Sequence, residues 1–323
     1  MPASVAGAAG RARGATGPYA VLRELDDEAS GIPVPERRFI GRSADGDRTV
    51  LIGVPLPGAD PGRFLAEAET SRYLLGPWSA PAAEVAAPGD APWHARPYVP
   101  VLPLPAALTV HGGPLPERTV RALGAALVET LVIGHGQGLA HAGVSPAAVL
   151  LAADGPRLTC FGAVRAAAED GTARSGLPGL ESGSLPPEQA AGGRPQPAGD
   201  IHALGAVLAY AATGHTVPER EELPAALRAV VTACLSRDPA ARPRPAELLD
   251  ALCPAAGPPP DTGAGAAGPP RPGTLPDAAG GPAGRAAALL GPGWLPGRII
   301  AALARQSAEL LAAGLPASPA PQD

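Results

Sequence analysis

Between Pro18 and Pro103 the apolar residues come in short, alternating runs. YAVLREL, RRFIGR and RTVLIGV have the look of strands, and SADGD, with its Asp-Gly pair, joins the last two as a hairpin turn. Asp60-Pro61 then opens DPGRFLAEAETSRYLLG, in which Phe64, Leu65, Ala68, Tyr73 and Leu74 recur near helical spacing. Another extended run, HARPYVPVLPL, follows. This part of the chain predicts a small antiparallel sheet with one helix.

Beyond Pro103 the period lengthens. PLPERTVRALGAALVETLVIGHGQG enters at Pro116-Glu117 and repeats Val120, Leu123, Leu127 and Leu131 on one face, the pattern of a long helix. AVLLAADGPRLTCFG reads as a second hairpin, turning at Asp154-Gly155. GDIHALGAVLAYAATG is an apolar helix closed by Gly214. PAALRAVVTACLSRDPAARPRPAELLDAL supplies two more helices across a proline-marked turn. These patterns divide the chain into an unstructured tail (1–17), a small β-rich lobe (18–103), a larger helical lobe (104–253), a Pro/Gly/Ala linker (254–292), an amphipathic helix (293–316) and a last tail (317–323). The fold class is α+β. The last helix, WLPGRIIAALARQSAELLAAG, carries Ile300, Leu303, Leu310 and Leu311 on one side and is expected to dock on its own domain or a partner, with a membrane surface as the alternative.

Composition narrows the function classes. With 42 Gly, 43 Pro and 46% hydrophobic residues in 323, a folded middle with unstructured ends is expected. A net charge of −5 without any basic block offers no footprint for nucleic acid. Cys160, Cys234 and Cys253 are far apart and odd in number, which suits a reducing compartment and matches no zinc spacing. No signal-peptide run opens the sequence and no run approaches the roughly 18 apolar residues of a membrane span, so a cytoplasmic protein is expected. All 25 Lys-plus-Arg positions are Arg, and Asn is also absent. No mechanism that needs a lysine amine or an asparagine amide can operate here.

Three late stretches, LPPEQAAG, GDIHALGAVLAYAATG and CLSRDPAARPRPAELL, come in an order and at separations that resemble the eukaryotic-like serine/threonine protein kinase family in its actinobacterial form. With the two lobes and the hairpin after the first long helix, the resemblance runs from about Pro18 to Leu252. It implies the bilobal protein-kinase-like fold. It also implies that Glu188 closes the activation segment and pairs with Arg242, and that Asp200 serves as N-cap and brace. Losing one member of such a buried pair strands the other charge at a cost of about 3–5 kcal/mol.

Phosphoryl transfer needs a lysine on the phosphates, magnesium ligands and a carboxylate that orients the hydroxyl. By the same resemblance Gly53 stands at the lysine position of TVLIGV. In HAGVSPAA, His141 and Pro146 persist, while Ala142 replaces an arginine, Gly143 the catalytic aspartate, Ser145 a lysine and Ala148 the magnesium-binding asparagine. Asp-Phe-Gly becomes Cys160-Phe161-Gly162, and a thiol is a poor ligand for Mg²⁺. His141 reads as a packing residue or a base, and Cys160 as a small buried hydrophobe or a redox thiol. The phosphate loop keeps only Gly31 and adds Asp26, Asp27 and Glu28, whose charge repels polyphosphate. Glu67, the helix partner of the missing lysine, is an orphan, the partner of an arginine, or a solvent-exposed glutamate. The hinge near Tyr98-Val99-Pro100 still offers backbone groups to an adenine.

The expected function is therefore that of a pseudokinase, a binding or scaffolding module whose partner is an active kinase, a kinase substrate or a signalling complex. No cofactor is expected and Mg²⁺ least of all, weak ATP binding being the alternative. Thr172, Ser175, Ser182 and Ser184 offer phosphoacceptors. The competing class is an enzyme that rebuilt its site from Arg48, Asp154 or the acidic loop.

Overall fold

The computed structural model describes residues 15–26, 32–168, 182–253 and 284–313. The small lobe is one antiparallel sheet in the order β1-β2-β3-β4-β6-β5. Its strands are β1 (Ala15–Thr16), β2 (Tyr19–Glu24), β3 (Glu36–Ser43), β4 (Thr49–Pro55), β5 (Glu84–Val85) and β6 (His94–Pro97). The Asp-Gly turn joins β3 to β4 in the register Arg38↔Gly53, Ile40↔Leu51. Alternation thus puts Glu36, Arg38 and Ile40 on the same face as Leu51 and Gly53. Helix α1 (Pro61–Ser71) starts where Asp60 accepts the Arg63 N–H, a side-chain N-cap. It stops at Ser71, so Tyr73, expected on its apolar face, is 68% exposed.

A three-stranded sheet, β7 (Val101–Pro103), β8 (Val149–Ala152) and β9 (Gly155–Leu158), joins the lobes. The helical lobe is built on α2 (Leu104–His111), α3 (Glu117–Gly136), α4 (Ala163–Ala167), α5 (Pro187–Ala190), α6 (Pro197–Thr213), α7 (Ala225–Cys234) and α8 (Pro245–Leu252). Val120, Leu123, Leu127 and Leu131 of α3 are buried against Leu204 and Leu208 of α6 and Leu248 and Leu252 of α8 in one core. Each fully buried leucine contributes about 1.5–3 kcal/mol. Among the described residues no helix is long and apolar enough to cross a membrane.

Both ends depart from expectation. The tail expected over 1–17 already pairs with β2 at Ala15–Thr16, and Gly17, at φ +56°, turns over the Trp93 ring. The linker expected over 254–292 ends early, because α9 (Arg285–Leu289) packs on α3. Glu129 on α3 is the reason: its Oε1 accepts the Gly284 and Ala286 N–H groups, and its Oε2 accepts Trp78 Nε1. Trp294 follows, fully inside, with Nε1 donating to the Ala153 carbonyl. The last helix, α10 (Gly297–Ala312), docks on its own chain through Ile299, Ala302, Leu303, Gln306 and Leu310. Ile300 and Leu311, expected on that face, are 40% and 84% exposed. At 100° per residue the buried stripe is i, i+3, i+4, i+7, i+11 from Ile299.

Candidate functional site

The cleft between the lobes is roofed by β3, β4 and β6. Gly53 is the midpoint of that roof, opposite Arg38 on one side and His94 on the other. With no side chain at Gly53, His94 Nε2 reaches across it to Glu36 Oε2 at 2.7 Å. His94 Nδ1 lies 3.2 Å from Arg96 Nη2. A guanidinium carries only donors, so Nδ1 accepts and the ring proton sits on Nε2, aimed at Glu36. Burial pushes the Glu36 carboxyl up, but the hydrogen bond from His94 and the Arg96 and Arg38 guanidiniums outweigh it and hold it below the usual carboxylate range. A Cβ on Gly53 would sit 2.5 Å from the His94 ring and 2.8 Å from Glu36 Oε2. Position 53, where the resemblance expects a lysine, is therefore hemmed in by His94 and Glu36.

Arg38 spans the cleft from roof to floor. It is 1% exposed, forks onto Asp26 through Nε (2.8 Å) and Nη2, and donates from Nη1 to the Ala147 carbonyl at 2.7 Å and Thr159 Oγ1 at 3.5 Å. Asp26 is thus taken up by a guanidinium instead of facing the cleft as a free charge. The space left among Glu36, Glu67, His94, Arg96 and Cys160 is about 40 Å³, enough for a few water molecules.

The floor is the HAGVSPAA loop and the Cys160-Phe161-Gly162 turn. Ala142 and Cys160 both hold left-handed backbone, φ 53° and 60°, a strained setting for residues with a Cβ. The two segments are tied by Gly162 N–H to the His141 carbonyl and Val164 N–H to the Ala142 carbonyl, both 2.8 Å. They lie so close that a Cβ on Gly143 would run into the Cys160 carbonyl oxygen. Position 143 does not merely lack an aspartate; it has no room for one. Ala148 is fully buried. Burial, with Glu36 adding to it, pushes the Cys160 thiol up to about 12, so it stays protonated and donates to Glu36 Oε1 at 3.7 Å. A protonated thiol and an alanine do not fit Mg²⁺, which wants hard oxygens, and the oxygens of Glu36 and Asp26 are engaged by His94, Cys160 and Arg38. Among the described residues no cluster of three His, Cys, Asp or Glu side chains could hold a metal.

Around this centre the scaffold residues are braced. His141 is buried and meets Phe161 edge to face at 5.6 Å; burial, against the opposing pull of Asp200, lowers it to about 4, so the ring is neutral. Glu67 accepts a bidentate pair from Arg165 on α4, 2.8 and 2.9 Å, and Arg165 covers the Phe161 face at 4.9 Å. Arg242 forks onto Glu188 at 2.6 and 2.7 Å and also donates to the Ala198 and Ser236 carbonyls. Asp200 is 2% exposed and accepts the His141 and Ala142 N–H groups and His135 Nε2 at 2.7, 2.9 and 2.9 Å. It braces the loop but does not cap its helix: α6 begins three residues earlier at Pro197, with Gln196 as its cap position.

At the hinge, Tyr98 and Val99 line a cavity of about 280 Å³ with Leu51, Ala82 and Leu150. Tyr98 Oη and the Val101 N–H both donate to Gln306 Oε1 of α10, at 2.6 and 3.1 Å. Arg48 and Asp154 lie elsewhere: Arg48 bonds Glu84 and Tyr19 Oη on the outer sheet, and Asp154 pairs with Arg157 at an exposed turn. Ser184 is buried. Gly31, Asp27, Glu28, Thr172 and Ser175 lie outside the described residues.

Glu36, Arg38, His94, Arg96, Arg165 and Gln306 were not legible as site residues. One signal existed. ERRF on β3 and HARP on β6 place charged residues at alternate positions of complementary sign, on strands that flank a glycine.

Over this region the chain is similar to kinases of actinobacteria. It is 35% identical over 261 residues (74% of this chain, 34% of the relative) to the probable serine/threonine-protein kinase PkwA of Thermomonospora curvata. It is 31% identical over 260 residues (74% and 32%) to the serine/threonine-protein kinase AfsK of Streptomyces coelicolor. It is 32% identical over 179 residues (48% and 16%) to the serine/threonine-protein kinase PknK of Mycobacterium tuberculosis. The chain thus spans about a third of the length of the first two, 34% and 32%. No family model matches it.

Proposed function

We propose that this chain, which belongs to the actinobacterial eukaryotic-like serine/threonine protein kinase family, acts as a pseudokinase: a cytoplasmic binding or regulatory module that transfers no phosphoryl group. The observation that carries the reading is Arg38. Its buried guanidinium, hydrogen-bonded to Asp26, Ala147 and Thr159, fills the phosphate side of the cleft with protein. Two further features support it: a Cβ at Gly53 or at Gly143 meets neighbours closer than real contacts allow. Each charge-assisted contact to a ligand is worth about 1.5–3 kcal/mol. Losing the lysine and both metal ligands removes roughly 5–8 kcal/mol of Mg·ATP binding, most of the 8 kcal/mol in a micromolar site. The use left to the fold is recognition of a protein, either an active kinase, a kinase substrate or a signalling complex.

The test is phosphotransfer from radiolabelled ATP to the chain itself and to a generic acceptor, with Mg²⁺ and with Mn²⁺. No incorporation above a boiled control is expected. Incorporation that disappears in the Arg38→Ala protein would assign chemistry to this cleft and overturn the reading.

A further inference from the structure

The hinge side of the cleft, next to the cavity of about 280 Å³, is covered by a different part of the chain from its phosphate side. Leu25, Ile40 and Leu51 from the roof, Val101 at the hinge, and Leu150 and Ala152 from the floor form one apolar cluster, and the seventh buried member is Leu310 of α10. One turn earlier, Gln306 is 6% exposed. Its Oε1 accepts both the Val101 backbone N–H and the Tyr98 hydroxyl, so the donors fix which end of the amide faces the hinge. A flat apolar slot that offers a hinge N–H is what a purine base uses, and here an amide oxygen and a leucine one turn apart use both features. Around them α10 is held at several points. Arg42 of β3 donates to the Leu310 and Ala313 carbonyls, the open acceptors at a helix C-terminus. Arg23 pairs with Glu309 at the surface, a contact of little weight. Upstream, Arg298 bonds the His111 carbonyl, Thr119 donates to the Trp294 carbonyl at 2.7 Å, and Glu129 holds the start of α9.

We propose that the hinge side of the cleft is a receptor for this chain's own α10: Gln306 and Leu310 stand in the place of a purine base, and a purine nucleoside enters only when the helix leaves. The inference goes beyond the pseudokinase reading and does not need it. It concerns the base side of the cleft, whereas that reading rests on the phosphate side.

The experiment uses the full chain, with hydrogen–deuterium exchange across residues 297–313 and binding of adenosine, which carries no phosphate, by equilibrium dialysis. In the unaltered protein the helix amides are protected and adenosine does not bind. Leu310→Asp puts a carboxylate into the apolar slot and speeds helix exchange on the order of 100-fold, while α3 and α6 stay protected. That protein takes up adenosine, and a synthetic peptide of residues 297–313 displaces it. Arg42→Ala removes only the cap on the last carbonyls and gives the same two changes at smaller amplitude, which keeps the test valid should Leu310→Asp fold poorly. Three results would each overturn the proposal: adenosine bound while the helix stays protected, a released helix without adenosine uptake, or a helix protected in both variants. None of them is read by phosphotransfer, so failure here and failure of the pseudokinase reading are separate outcomes.

Discussion

Two buried ionic assemblies sit in this molecule and do different work. Arg242 and Glu188 join the end of the activation segment to the last helices, a brace between pieces of chain. Arg38, with Asp26, Glu36 and His94, ties β3 to Ala147 and Thr159 of the floor and fills the cleft between them. Both guanidinium groups are 1% exposed at the side chain. What differs is the number of carboxylates around each. Among the described residues Glu188 is the one carboxylate bonded to Arg242, whereas Arg38 bonds Asp26 and also feels Glu36. A brace with one counter-charge fails when that charge goes. A filled cavity with two fails in part.

Removing one carboxylate from each assembly tests this most severely. Glu188→Ala strands Arg242 and should cost about 3–5 kcal/mol in urea unfolding. Asp26→Ala leaves Glu36 beside Arg38 and should cost about 2–3 kcal/mol. Equal losses would break the comparison, since the cleft would then be braced as tightly as the scaffold.

Re-installing the missing chemistry attacks the filled cleft directly. Gly143→Asp drives a Cβ into the Cys160 carbonyl, and Gly53→Lys pushes one to 2.5 Å from the His94 ring. Each should destabilise by about 1–3 kcal/mol, the range for overpacking, and the double variant should still transfer no phosphate. A cleft that had only been emptied would accept both at little cost. Melting temperatures of the two single variants against Gly291→Asp, where a Cβ meets nothing and the backbone is not left-handed, provide the measurement.

The scaffold was legible because its signals are local. Alternation marked β3 and β4, Asp60-Pro61 marked the start of α1, and the order of Glu188, Asp200 and Arg242 carried the resemblance to kinases. Gly53, Gly143, Ala148 and Cys160 were read as losses from the resemblance alone. What replaced them was not legible, because each replacement depends on partners far apart in sequence. Glu36 and His94 are 58 residues apart, Arg38 and Thr159 121, Val101 and Gln306 205. Strand register and the path of the C-terminal strap decide those contacts, and neither is written in a period of 2 or 3.6. The face of α10 was misassigned for the same reason: Gln306, a polar residue, lies at its centre.

Acid separates the regions by their histidines. His141 lies in the floor of the cleft and His202 on α6 beside the scaffold pair; burial foremost lowers each to about 4. An unfolded histidine takes up its proton near 6.5, so as pH falls from about 6.5 to 4 the unfolded chain binds protons that the folded chain refuses, and stability drops. The loss should be about 3 kcal/mol per histidine and level off below pH 4. Glu36, held at about 2 against 4.5 in the unfolded chain, adds a further fall between those values, where the unfolded carboxyl takes up a proton that the folded one refuses. Replacing either histidine by Gln should remove about half of the first drop in a series of urea midpoints. A variant that leaves it unchanged would show that its region titrates as it does in the unfolded chain.

The smallest effect is expected where the two regions meet. Glu67 on α1, which by the resemblance to kinases would partner a lysine that the chain lacks, is held by Arg165 on α4. The pair is only partly covered, 18% and 25% exposed at the side chains, so water screens part of its attraction. Arg165 keeps two other supports without it, the Phe161 face and the Ala140 carbonyl at 3.0 Å. Glu67→Gln preserves shape and one hydrogen bond, and should therefore cost only about 1 kcal/mol by urea unfolding. A loss near that of Glu188→Ala would move Glu67 into the brace class, and α1 would then be held to the floor as firmly as the activation segment is held to the last helices. A loss near zero would mean that the stacking of Arg165 on Phe161 and its bond to the Ala140 carbonyl suffice to position α4, leaving Glu67 with no structural weight.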